Sequence, residues 1–537
     1  MFPKFKPVKL ESWQVEWATR CSQILKQSYI YVDNSRLGSG KSIIAMWVAQ
    51  QLNEPLIIIC PKILIAKWEN ELAKYNMSNR LLAIINYESL RGSRGNQLKN
   101  GILTREDIPR AGGGHKTIFK PTPQYEILIK NGALVIFDEF HKVKNDTTTH
   151  KAFRAMVRAI TSREKCPSRI GLLSASPLDK DEHIVNLLKG IGYIAKKQLF
   201  HTDPHTKIIN LEGHGLQELI DSCDQIDEAA TSKILEEANL IGVRYYRHDG
   251  NGNYIENINI IGKYSKRDEL NQLCLMLYSG VIKPTIAGSM LPEMTDEKYI
   301  HSTHNSFYVT DEFVTQQIND AINPLAKLAE AATINDDDEN QTKGSRIKGI
   351  RNIINNIEAS KLGIFFDATV KILNDDPNAK VIVAFNGVDN IERLTKALSI
   401  YGALAIYGKI QNGRHEIIEL FNSDKRHRVL IMNPEITGFG VDLHDTVGDS
   451  PRTLLISPCY NFITLYQTTG RINRRGVKSN TTVKIVYCSG EASREVKIRA
   501  ALTKKSEVMK RMIDDRSLDY ITLPDEYESE TIDLSAF

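Results

Sequence analysis

Five short apolar runs bounded by turn residues open the chain, at 29–32, 55–60, 81–85, 133–137 and 169–173. Each is too short for a stable helix and is dominated by Val, Ile, Leu and Phe, the pattern of a strand covered on both faces. The stretches 42–52 and 63–74 between them read as helices. Strands alternating with helices predict a parallel sheet flanked by helices. A second series at 381–385, 403–407, 429–432, 453–456 and 482–487 predicts a second lobe of the same α/β kind.

The middle of the chain differs in character. Helix-like segments at 216–224, 228–240 and 266–278 precede the polar run N-D-D-D-E-N-Q-T-K-G-S at 335–345. This pattern predicts a mostly helical insertion ending in a linker. The expected organisation is therefore lobe 1 over 1–200, insertion and linker over 201–345, lobe 2 over 346–500, and a helical then acidic tail over 501–537. Within lobe 1, 91–125 contains A-G-G-G-H-K and several prolines and reads as a long surface loop. Its basic residues Arg91, Arg94, Lys99, Arg105, Arg110, Lys116 and Lys120 are candidate nucleic-acid contacts.

Composition narrows the class. At 537 residues with 42% hydrophobic and 25% charged residues, the chain is long enough for several packed domains and ordinary for a globular protein. Its net charge of +4 hides an uneven distribution: 514–537 carries −7, which leaves +11 on the remainder. That basic body suits a polyanionic partner. Seven cysteines without a C-x-x-C indicate neither a zinc ribbon nor a disulfide framework, and point to a reducing intracellular compartment. No signal peptide or membrane span is expected, because the first residues lack an apolar core and Lys62 interrupts the strongest apolar stretch.

Three blocks carry candidate chemistry. In Y-I-Y-V-D-N-S-R-L-G-S-G-K-S a strand, a turn containing Gly38, Ser39 and Gly40, and a helix follow in order. The glycines let backbone N–H groups approach phosphate; Lys41 can reach the β/γ-phosphates and Ser42 can ligate Mg²⁺. The full phosphate-loop pattern has glycine where this chain has Ser35, a departure that favours helicase-type loops over kinases or small GTPases. In L-V-I-F-D-E-F-H, Asp138 is placed to hold Mg²⁺ through water and Glu139 to orient and deprotonate an attacking water. The run Y-Q-T-T-G-R-I-N-R-R spaces Gln467, Arg471 and Arg474 as a clamp on a phosphoryl group. Upstream of it, Gly438 and Gly440 in I-T-G-F-G-V-D-L-H would allow backbone close to phosphate or nucleic acid, and Ser174 and Ser176 in S-A-S-P-L-D-K sit at a strand end where hydroxyls can bridge the carboxylate site to the other lobe.

Together these motifs resemble the superfamily-two DExH helicases, and within them the Swi/Snf-like double-stranded DNA translocases. D-E-F-H-K-V-K-N is similar to that family's D-E-x-H-x-x-K-N, and S-A-S-P-L-D-K to its T-G-T-P-L-x-N. I-I-N-Y-E-S-L, E-A-S-K-L-G-I-F-F-D and Q-T-T-G-R-I-N-R-R-G match in order as well, over about 8–200 and 355–490. Asp442 stands where the family has Asn, and Val477 where it has Gln. The extended L-H-D-T-V-G-D-S-P-R resembles helicases of large DNA viruses.

The resemblance implies two tandem RecA-like lobes with a helical insertion, and ATP with Mg²⁺ bound in the interlobe cleft. It also implies adenine contact by Gln14, γ-phosphate contact by Arg471 and Arg474 beside Gln467, and movement along nucleic acid, with duplex DNA first. A strand-separating DNA or RNA helicase is the nearest alternative, and a non-hydrolysing nucleic-acid scaffold a further one. Any protein partner is expected to engage the insertion or the acidic tail, and the cytoplasm, nucleus or a virion are the expected locations.

Overall fold

The computed structural model describes residues 6–93, 100–109, 115–163, 166–202, 209–211, 213–240, 245–248, 254–257, 266–290, 302–309, 312–321, 339–408, 413–437, 442–472, 474, 476–488 and 495–513. The chain divides into two compact units, Met1–Leu291 with Val508–Asp515, and Pro292–Glu507.

The first unit is built on β1 (Ile30–Asp33), β2 (Leu56–Cys60), β3 (Leu81–Asn86), β4 (Leu103–Pro109), β5 (His115–Pro121), β6 (Leu134–Asp138) and β7 (Arg169–Leu173). Two small antiparallel pairs follow, β8 (His201–Thr202) with β9 (Ile209–Asn210) and β10 (Tyr245–His248) with β11 (Tyr254–Asn257), and then β12 (Ala287–Gly288). Its main sheet runs β12-β1-β7-β6-β2-β3, parallel throughout. The central strands are buried on both faces, as their uninterrupted apolar sequence requires. Asp33 and Asp138 both lie in register with Leu173, one on either side of β7. Their strands are therefore separated by two inter-strand spacings, about 10 Å.

The second unit contains β13 (Ser302–Val309), β14 (Lys380–Ala384), β15 (Leu404–Ile406), β16 (Val429–Met432), β17 (Arg452–Ile456) and β18 (Thr481–Cys488). They form a second six-stranded parallel sheet in the order β13-β18-β17-β14-β16-β15. Both expected α/β lobes are thus present, each a parallel sheet with flanking helices. All ten strands read from the hydrophobic pattern form, with ends differing by a residue or so.

Three features depart from the sequence reading. The segment expected as a loop over 91–125 contains the β4–β5 hairpin, paired from Leu103↔Pro121 to Pro109↔His115. Arg105 pairs with Asp107 at 3.0 Å and Lys120 with Glu106 at 2.8 Å, so two of the basic residues offered to nucleic acid are already engaged. Arg94, Lys99 and Arg110 lie outside the described residues.

The middle region holds the expected helices Gly215–Ile226, Glu228–Leu240 and Lys266–Leu277. It also supplies an edge strand to each sheet, β12 to the first and β13 to the second. Neither carries an apolar run, because edge positions demand less of one. The polar stretch read as a linker is helical from Glu339 onward, in the helix Glu339–Ser360, while 335–338 lie outside the described residues.

Candidate nucleotide site and its relatives

The phosphate loop follows β1 and ends at the helix Lys41–Leu52. Gly38 and Gly40 have φ of 76° and 88°, backbone that side chains with a Cβ rarely adopt, and Gly40 is the residue preceding the helix. A Cβ on Gly40 would also come within 2.5 Å of Gln14 Nε2. Lys41 Nζ donates to the carbonyls of Ser35 (2.8 Å) and Arg36 (3.1 Å), contacts within the loop that a phosphate would compete with. Burial lowers the Lys41 pKa, opposed by the charges of Glu139, Asp33 and Asp138. Ser39 Oγ is buried without a hydrogen bond, and the Ser42 hydroxyl makes none among the described residues.

Gln14, on the helix Ser12–Gln27, is 5% exposed. Its Nε2 donates to Ser39 O at 2.9 Å and its Oε1 accepts from Glu11 N–H at 3.0 Å. The amide expected at adenine is thereby docked onto the phosphate loop, with one N–H and one lone pair left for a ligand.

The two carboxylates stand at the end of β6. Asp138 closes the strand and Glu139 turns sharply out of it with φ of 56°, left-handed backbone that costs a non-glycine residue about 1–3 kcal/mol. His141 Nδ1 lies 3.2 Å from Glu139 Oε2 and 3.1 Å from Ser174 Oγ, and Ser174 Oγ also accepts from Ser176 N–H at 3.2 Å. His141 thus stands between Glu139 and Ser174 within this unit. Burial depresses the His141 pKa, with Glu139 acting against it. Burial raises Asp138 and the neighbouring Glu139 charge adds to it, while Trp68, Lys41 and Lys67 pull it down.

Four contributors have no role at the carboxylates or the loop in the sequence reading, although Ser35 and Tyr87 lie within its motifs. Trp68, 1% exposed, donates its indole N–H to Asp138 Oδ2 at 2.9 Å. Tyr87 OH donates to Asp138 O at 2.9 Å. Asp33, fully buried and raised by desolvation, accepts from Ser35 N–H at 2.9 Å. Ser35, the departure from glycine, accepts on its hydroxyl from Met290 N–H at 2.9 Å. The periodicity of 63–74 placed Trp68 on a helix but gave no reason to connect it with the carboxylates.

The donor set suits a hard divalent cation. Asp138 Oδ1 makes no hydrogen bond among the described residues and, with the Ser42 hydroxyl, offers oxygen ligands. No cluster of three or more His, Cys, Asp or Glu able to hold a metal occurs among those residues. Mg²⁺ characteristically keeps waters and takes one or two protein carboxylates beside substrate phosphates, so the Asp138 and Ser42 oxygens are donors of the type it uses.

In the second unit, Gln467 belongs to the helix Phe462–Thr469 and is 3% exposed, as is Arg471 just beyond it. Leu443 N–H donates to Arg471 O at 3.1 Å, which joins this block to the preceding motif. Arg474 Nε donates to Gly470 O at 2.9 Å, and its Nη1 pairs with Asp442 Oδ1. The departure at Asp442 therefore gives Arg474 an anionic partner that an Asn would not supply. Val477 is buried, and Gly440 lies outside the described residues.

Residues 12–241 match the SNF2-related domain. The chain is 23% identical over 498 residues to L364 of Acanthamoeba polyphaga mimivirus, named as a candidate ATP-dependent RNA helicase; the match covers 93% of this chain and 82% of that protein. Solved structures that it resembles include the Sulfolobus solfataricus SWI2/SNF2 ATPase core in complex with dsDNA, with 12% identity, TM-score 0.30 and coverage of 96% and 99%. The Pyrococcus furiosus Hef helicase domain is another, with 15% identity, TM-score 0.38 and coverage of 91% and 97%. Residues 12–241 thus carry an SNF2-related domain, and the chain is similar over most of its length to a viral protein named for ATP-dependent helicase activity, in keeping with a nucleic-acid-dependent ATPase.

Proposed function

We propose that this protein hydrolyses ATP to translocate along double-stranded DNA. The observation that carries the chemistry is that the loop after β1, which leads to Lys41, and the end of β6, with Asp138 and Glu139, lie at the same edge of one sheet on either side of β7, with the charges of Asp138 and Glu139 acting on Lys41. On this reading Lys41 and the loop N–H groups take the β/γ-phosphates, and Ser42 and Asp138 hold Mg²⁺, which neutralises phosphate charge when bound. Glu139 accepts the proton of the attacking water, with His141 fixing one of its oxygens. Arg471 and Arg474, with Gln467 beside them, stabilise charge on the transferred phosphoryl, and Gln14 recognises adenine. Rearrangement of the two units during the cycle steps the protein along the phosphate backbone, so contacts are salt-sensitive and weakly sequence-specific.

A second reading, an RNA helicase, is favoured by the name of the viral relative. An intracellular or viral setting is supported by six described cysteines that are free and buried, and no helix among the described residues is long and apolar enough to cross a membrane. A protein partner, if the chain has one, is placed at the helical middle region or at the acidic C-terminal stretch, which lies outside the described residues.

The deciding assay compares ATP hydrolysis with duplex DNA, single-stranded DNA and RNA, alongside triplex displacement and strand-separation assays. Duplex stimulation with triplex displacement and no strand separation is expected. RNA-selective stimulation overturns the DNA reading. Lys41→Ala is expected to abolish hydrolysis while leaving the thermal transition in place, and normal hydrolysis by that variant would sink the ATPase assignment.

A further inference from the structure

We infer that Trp68 is a positioning residue for Asp138, a neutral donor that fixes the carboxylate so that Oδ1 is presented to Mg²⁺. The inference rests on the nucleotide reading above. The indole N–H reaches Oδ2 at 2.9 Å across a contact in which both residues are buried. Trp68 and Leu72 are the buried residues of the helix Ile65–Lys74, and packing alone would be met there by any large apolar side chain. The polar atom of Trp68 is instead spent on the one carboxylate placed to hold the metal.

The chemistry of the donor matters. Indole has a single N–H and no acceptor, so its role in this bond cannot be reversed. A lysine or arginine in the same place would orient the carboxylate but also neutralise the charge that attracts a cation; indole orients it and leaves the charge. Tyr87 holds the main chain of the same residue through Asp138 O at 2.9 Å. Asp138 is thus held at backbone and side chain by groups from the connections after β2 and after β3, leaving Oδ1 without a hydrogen bond among the described residues. Partners of this kind around a metal ligand typically change affinity or activity by about 10–100-fold when removed.

The test measures binding of a fluorescent, non-hydrolysable ATP analogue to the full chain, in EDTA and across a Mg²⁺ titration. Trp68→Phe retains a large ring and removes the N–H. Its affinity in EDTA is expected to match the wild type, while the Mg²⁺ concentration for half-maximal tightening rises by about 10-fold or more. Leu72→Ala, on the same buried face, is expected to lower the melting temperature without moving the Mg²⁺ half-point.

A folded Trp68→Phe with an unchanged half-point, or an equal displacement in Leu72→Ala, overturns the inference. Should Trp68→Phe fail to fold, the wild type labelled with ¹⁵N-indole provides the readout, the other three tryptophan resonances being assigned by substituting Trp13, Trp17 and Trp47 with Phe. The Trp68 resonance is expected to move when Mg²⁺ joins bound nucleotide, and a stationary resonance overturns the inference. A wild type that binds no nucleotide would instead reject the functional reading on which it rests.

Discussion

The first sheet gathers its buried charge where strands end: Asp33 at the close of β1, Asp138 at the close of β6 and Glu139 one residue on. The second sheet buries cations where strands begin, with Lys380 and Arg452 in register at the starts of β14 and β17. Lys380 Nζ donates to Asp424 O at 2.9 Å and to Phe421 O, and burial lowers its pKa to about 8. Arg452 donates to Asn422 Oδ1 at 3.0 Å and lies over the Phe421 ring. Elsewhere in that unit Lys361 meets Glu495 at 2.6 Å and Val486 O at 3.0 Å, with the pair essentially inaccessible. Glu358 accepts from the N–H groups of Asn386 and Gly387. These groups are answered by the protein itself and tie elements together. Asp138 and Lys41 make only part of the contacts their charge allows, or make them to a loop built to exchange partners, and such incompleteness distinguishes a site from a brace.

This contrast is open to direct challenge. The largest effect is expected at Glu139→Gln: turnover falls by about 10²–10⁴-fold in a steady-state ATPase assay, with nucleotide affinity and melting temperature near wild type. A comparable loss of stability would place Glu139 among the braces instead. Lys361→Met should do the reverse, because it strands a buried carboxylate. Chemical denaturation is expected to show a loss of about 3–5 kcal/mol, and nucleotide binding by the remaining folded protein should be unaltered.

The smallest effect is expected at Asp442→Asn. Asp442 is more than half exposed, so its pairing with Arg474 is screened and worth up to about 1 kcal/mol, or about fivefold. Release of Arg474 should raise stimulated turnover by no more than that factor, and the gain should vanish in high salt. A decrease would mean that Asp442 aligns the arginine.

Ten of the twelve strands in the two six-stranded sheets were legible because burial on two faces demands an apolar run, as at 134–137 or 429–432. The phosphate loop and the D-E pair were equally readable, since their chemistry fixes residue type and spacing. The β4–β5 hairpin escaped because its residues are mostly polar and partly exposed, so alternation is weak. Strand β12 escaped because two residues hold no period at all. Trp68 and Tyr87 escaped for another reason: their contacts with Asp138 join residues 70 and 51 positions apart, and only the folded sheet brings them together.

The short strand β12 has a consequence for how the protein is made. Val32 and Asp33 obtain their second neighbour from Ala287 and Gly288, Asn34 N–H donates to Gly288 O at 2.9 Å, and Gly288 lies so close to Trp17 that a Cβ would stand 2.5 Å from its ring. On the ribosome, the root of the phosphate loop therefore waits for more than 250 further residues before its flank is covered. A polypeptide ending near residue 200 would emerge with the β1 edge open, a template for pairing with other chains. An N-terminal piece must run through Met290 to cover that edge, and even then it lacks Val508–Asp515 of the same unit, whose Met512 O accepts from Asn34 Nδ2 at 3.4 Å.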